Sequence, residues 1–156
     1  MLAERLPKAA HVRGDLFRRM IVSGRQEFTP EQTMEATEQL WLRYRLSTVV
    51  ADSYARAGFT AVVQDVVLGH DLSGYLELFT TSPRYLVVLA PRPAVISARE
   101  DARGKKGYGE WTVSALDTSL CRDTPPFGLW LDNSDQRPEE TVDEILANLP
   151  QAQLAP

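Results

Sequence analysis

The chain has 156 residues, 44% of them hydrophobic and 24% charged, an ordinary globular composition that excludes wholesale disorder. Its net charge of −4 argues against a general nucleic-acid binder, which would show a basic excess. No apolar run approaches the ~20 residues of a membrane span, and the N-terminus lacks the apolar core of a signal peptide.

One domain over residues 1–150 is therefore expected, in the cytoplasm, with no membrane and no nucleic acid as partner. Arginine outnumbers lysine fourteen to three, and guanidinium forks suit phosphate and carboxylate recognition. Cys121 has no partner for an internal disulfide and reads as a small buried apolar residue. His11 and His70 are too few and too isolated in sequence to argue for a zinc site.

Residues 2–6, "LAERL", read as the last turns of a helix closed by Pro7. "AAHVR", residues 9–13, is a short strand, and "DLFRRMIVSG" is a helix with Gly24 as its stop. "TPEQTMEATEQLWLRYRLSTVVADSYARAG" is the longest helix, with Thr29 as cap, Pro30 at its first position and Gly58 at its end. Met34, Thr37, Trp41, Tyr44, Thr48 and Ala51 recur at helical spacing and are assigned to the core.

"FTAVVQDVVLG" and "RYLVVLAP" are β-branched runs suited to strands buried on both faces, with the short helix "SGYLELFTTS" between them. "PAVISAREDARGKKGYGEW" begins as a helix and dissolves into a basic, glycine-rich stretch. "TVSALDTSLCRD" is helical, "FGLWLD" is a further strand, and "RPEETVDEILANLP" is a closing helix with Pro138 at its start. The tail "QAQLAP", residues 151–156, is expected to fray. Strands alternate with helices throughout, so the fold class is α/β, with a largely parallel sheet in three layers.

In open α/β sheets ligands bind at the carboxyl ends of the strands. Asp15, Asp65 and Asp132 lie at or near such ends. By spacing alone Asp15 is equally a helix cap and a catalyst. Asp65 falls inside a predicted buried strand, where a carboxylate needs a partner, a proton or a place at the strand's mouth. Asp132 is most simply a turn residue. Arg99 and Arg103 share one helix face, and Lys105 and Lys106 follow among glycines, an arrangement that suits a lid closing on phosphates.

"HVRGDLFRRM", "AGFTAVVQDVVLG", "YLVVLAPRPAVISAREDARG" and "GLWLDNSDQRPEETVDEIL" together resemble the small P-loop kinases of the chloramphenicol phosphotransferase-like kind, over about residues 2–149. The resemblance implies a P-loop NTPase-like fold, ATP and Mg²⁺ as cofactors, and a small hydroxylated molecule as phosphoryl acceptor. It also implies roles. Asp15 would be the catalytic base, with Arg13 and Arg18 orienting the substrate. Asp65 would lie near the Mg²⁺ and its water shell, and Arg99 and Arg103 would form the phosphate lid.

The chain departs from that family in one respect. No GxxxxGK[ST] loop occurs in it, so the first strand and the phosphate cradle are missing, and ATP binding by these residues is expected to be impaired. The natural protein is expected to start upstream of Met1. The alternative is a catalytically inert module on a kinase scaffold that binds a ligand or a protein. Pairing of two copies across exposed strand edges, a homodimer, is left open.

Overall fold

The computed structural model describes residues 1–103 and 111–155, without the side chain of Arg103. The basic glycine-rich stretch with Lys105 and Lys106 lies outside the described residues, so the proposed lid is described only as far as its helix.

The chain divides into two compact units, Leu2–Val67 with Asp71–Thr81, and Leu68–His70 with Ser82–Pro156. The first begins with a single 3₁₀ turn at Ala3–Arg5 and continues through β1 (Ala9–Arg13), α1 (Gly14–Arg19), α2 (Met34–Arg56), β2 (Thr60–Gln64) and α3 (Asp71–Glu77). The second contains β3 (Val87–Leu89), α4 (Pro93–Arg103), α5 (Val113–Thr118), β4 (Leu129–Leu131), α6 (Pro138–Ala147) and α7 (Leu149–Ala152). β1 pairs with β2, and β3 with β4, each pair parallel. The α/β class and the parallel pairing agree with the sequence reading, and among the described residues the strands pair two by two, one pair in each unit.

α2 starts later than the sequence suggests. Thr33, not Thr29, is its cap, because the Thr33 hydroxyl accepts the Ala36 N–H at 3.1 Å. The Thr29 hydroxyl instead donates to the Glu31 carbonyl in the turn before it. Met34 in the first turn is 79% exposed and leaves the predicted core stripe, while Tyr44, Thr48 and Ala51 further along are buried. Ser47 joins them, with its hydroxyl turned back onto the Tyr44 carbonyl. Trp41, Tyr44, Tyr75 and Phe79 form a chain of edge-on and tilted ring contacts between α2 and α3, with centroids 4.9 to 5.5 Å apart.

A buried carboxylate fixes the end of this first unit. Asp52 of α2 accepts from both the N–H and the hydroxyl of Thr80 and of Thr81. Arg56, one turn on, sits 3.7 Å from the same carboxylate and also bonds the Thr80 hydroxyl.

In the second unit Leu129, Leu131, Val142 and Ile145 are buried around the β3–β4 pair. Residues 152–154 correct the expectation of a frayed tail. Ala152 is fully buried, its carbonyl accepts the Leu86 N–H, and Leu154 N–H bonds the Arg84 carbonyl. Those bonds give the tail backbone partners that water would otherwise supply. Cys121 is also corrected, being exposed rather than buried. Partial desolvation and the neighbouring Asp117 carboxylate push its thiol up, away from the thiolate form that a nucleophile needs.

Candidate functional site at the mouths of β1 and β2

The parallel ladder of the first unit ends on the rung Arg13–Gln64. The next residue on each strand is therefore Gly14 on one side and Asp65 on the other. β2 stops one residue short of Asp65, so this acid stands at the strand's mouth and not within the strand as the sequence reading placed it. A sheet pair is as long as its shorter member, and β1 offers five residues.

Asp65 is held closely. Its side chain is 2% exposed and forms an ion pair with the Arg43 guanidinium of α2, itself only 14% exposed. Arg43 Nη2 meets Oδ1, Arg43 Nε donates to Oδ2 at 3.2 Å, and the Val66 N–H donates to Oδ1 at 2.7 Å. Tyr44, the next residue of α2, donates its hydroxyl to the Val66 carbonyl, and burial pushes that phenol up so that it stays protonated. Burial draws the Arg43 guanidinium down, opposed by nearby Tyr44 and Asp15, but it starts so far above neutrality that it remains a cation.

Gly14 is the other half of this contact. A Cβ built there would collide with the Asp65 carboxylate. Gly14→Ala is expected to destabilise the protein by about 2 kcal/mol, as overpacking of a filled site does. Urea denaturation measures it, and a loss below about 0.5 kcal/mol would show that Asp65 moves aside freely.

Asp15 sits one residue further on, in the first turn of α1. It does not cap the helix: Arg13 is the N-cap, and no side chain bonds there. The Asp15 carboxylate is 38% exposed, and its Oδ2 lies 3.0 Å from Arg19 and 3.5 Å from Arg13. Arg13 is thus placed beside Asp15, together with Arg19, which the sequence reading passed over.

Arg18 points elsewhere. It pairs with Glu27 and donates to the Gln26 carbonyl, while Gln39 of α2 holds Gln26 N–H and the Gly24 carbonyl at 2.9 Å each. Arg18 therefore fastens the 24–27 turn. α1 itself ends at Arg19, and Gly24 belongs to that turn, with φ +75°, rather than to the helix end.

In the second unit, Arg99 of α4 donates to the carbonyls of Asn133 and Ser134, which ties α4 to the turn after β4. Asp132 in that turn accepts from the Ser134 N–H at 2.9 Å, as its turn assignment anticipated. The Arg103 side chain lies outside the described residues.

A divalent ion beside Asp65 would need open acceptor positions on its carboxylate. Three of the roughly four acceptor positions of the Asp65 carboxylate are already used. Among the described residues, no group of three or more His, Cys, Asp or Glu side chains is placed to hold a metal. These residues do not fit Mg²⁺. Arg43 is the residue that sequence reasoning missed. The available signal was the cost of a buried Asp65, which calls for a cation from the preceding helix, where Arg43 and Arg45 both occur.

No protein-family model and no curated protein matches the chain. Among solved structures it is similar to one described as a "putative kinase" from Chloroflexus aurantiacus J-10-fl, at 12% identity and a TM-score of 0.53. The match covers 97% of this chain and 86% of the other. At that identity the likeness is one of fold alone.

Proposed function

We propose that the chain carries the acceptor side of a phosphotransferase acting on a hydroxyl of a small molecule, with Asp15 as the base. One observation carries this reading. Both arginines beside Asp15 approach Oδ2, at the mouth of β1 where α/β sheets bind ligands, and the incoming hydroxyl is assigned to Oδ1. Arg13 and Arg19 keep the carboxylate oriented, and Arg13 is assigned to the bound acceptor. A carboxylate so placed need only orient the attacking oxygen and receive its proton, because phosphoryl transfer depends mainly on positioning and charge neutralisation.

The donor implied by the sequence resemblance is ATP. Without a GxxxxGK[ST] loop these 156 residues are expected to bind it weakly. Arg99 and Arg103 are proposed, from the sequence resemblance, as the phosphate lid. The second reading is an inert ligand-binding or protein-interaction module on the same scaffold.

The test is transfer of labelled γ-phosphate from ATP to a panel of small alcohols, using protein purified from its native gene. Asp15→Asn is expected to lower transfer roughly 100-fold without changing the melting temperature. Transfer within a few-fold of wild type refutes the assignment of Asp15. Binding of a hydroxylated ligand with no turnover of ATP favours the inert module.

A further inference from the structure

Arg43 and Asp65 form the most enclosed ion pair that the site contains, and neither unpaired charge could be left there cheaply. The guanidinium reaches the carboxylate through both Nε and Nη2, the two-pronged geometry that fixes orientation as well as charge. Asp15 acts on the same guanidinium, so one arginine lies in the field of both acids at this strand mouth. Gly14 closes the remaining side, its lack of a Cβ giving the Asp65 carboxylate its space.

We infer that Arg43 is the built-in counter-cation of this site, filling beside Asp65 the place that a divalent metal would otherwise take. A hydrated Mg²⁺ keeps several waters and needs an open octahedral shell. A carboxylate that is 2% exposed and already gripped on both oxygens offers it no such approach. Arg43 is accordingly a positioning residue. It holds Asp65 against the start of α1, and so fixes the turn that aims Asp15. The inference concerns charge balance within the chain, and it stands whether or not the chain transfers phosphate.

Two measurements test it. The first is the enhancement of water-proton relaxation by Mn²⁺ in wild-type protein and in Asp65→Asn. Equal signals are expected. A sub-millimolar site in the wild type that Asp65→Asn abolishes would overturn the inference.

The second is thermal unfolding of Arg43→Gln and of the double variant Arg43→Gln/Asp65→Asn. The single variant is expected to melt roughly 6 to 12 °C lower, since it strands a buried carboxylate. The double variant, with neither charge left, is expected to recover at least half of that loss. Should the single variant fail to fold, recovery in the double variant alone still supports the pairing. A double variant no more stable than the single, or a single variant that melts like wild type, would overturn it.

Discussion

Gly128→Ala is expected to cost about 4 kcal/mol, concentrated in the second unit. Gly128 precedes β4 with φ +69°, in the left-handed region where an L side chain costs about 1–2 kcal/mol. The space beside it is also taken. A Cβ there would run into the Leu86 carbonyl oxygen and come within 2.8 Å of the Leu86 Cβ. That carbonyl accepts the Leu129 N–H at 2.9 Å at the entrance to the β3–β4 pair, so it cannot withdraw without breaking the ladder. Overpacking against backbone adds about 1–3 kcal/mol to the conformational term. Hydrogen exchange at the Leu129 and Ala90 amides reads the effect at the strands themselves. A change below about 1 kcal/mol would mean that the turn rearranges to admit the methyl.

Asp52→Ala acts on the first unit through hydrogen bonds. It removes the acceptor of four donors, the N–H and hydroxyl groups of Thr80 and Thr81, around a side chain only 5% exposed. Bonds to a charged acceptor are worth about 1.5–3 kcal/mol each and do not simply add, so a loss of about 3–4 kcal/mol is expected. The same carboxylate makes stability depend on pH. Desolvation pushes its pKa up, but the combined bonds from Thr80 and Thr81 outweigh this and hold it below the ordinary 3.8.

A carboxylate depressed in the folded state stabilises fully above its unfolded pKa. Its contribution then fades as pH falls through the lower folded value. Urea denaturation at pH 7 and near pH 3 should therefore show wild type losing more stability on acidification than Asp52→Asn. Equal losses in the two proteins would remove Asp52 as the cause.

The order of elements was legible because hydrophobic period and turn residues are local signals. "AAHVR" became β1 with its predicted bounds, and Pro138 opens α6 as expected. Boundaries failed where two residues could do the same job. Thr29 and Thr33 are both competent caps, and only the fold decides which hydroxyl meets a free N–H.

The β-branched run "TAVVQDVV" gives no sign of where pairing stops, because that depends on the length of β1, some fifty residues earlier. The site was half legible for the same reason. Asp15 and Arg13 are neighbours in sequence, and their proximity could be foreseen. Arg43 and Asp65 are separated by 22 positions, on a helix and beyond a strand. Helical spacing assigns Arg43 no special place beside Tyr44.

The return of residues 152–154 to residues 84–86, just ahead of β3, bears on how the protein is made. Synthesis proceeds at about 5–20 residues per second, so a unit can close only after its last partner has emerged. The first unit has all its members once Thr81 is clear of the ribosome. The second must wait for Ala152 to receive the Leu86 N–H and for Leu154 to reach Arg84. For the several seconds between those events, the nascent chain carries one finished unit and a β3 strand still short of partners.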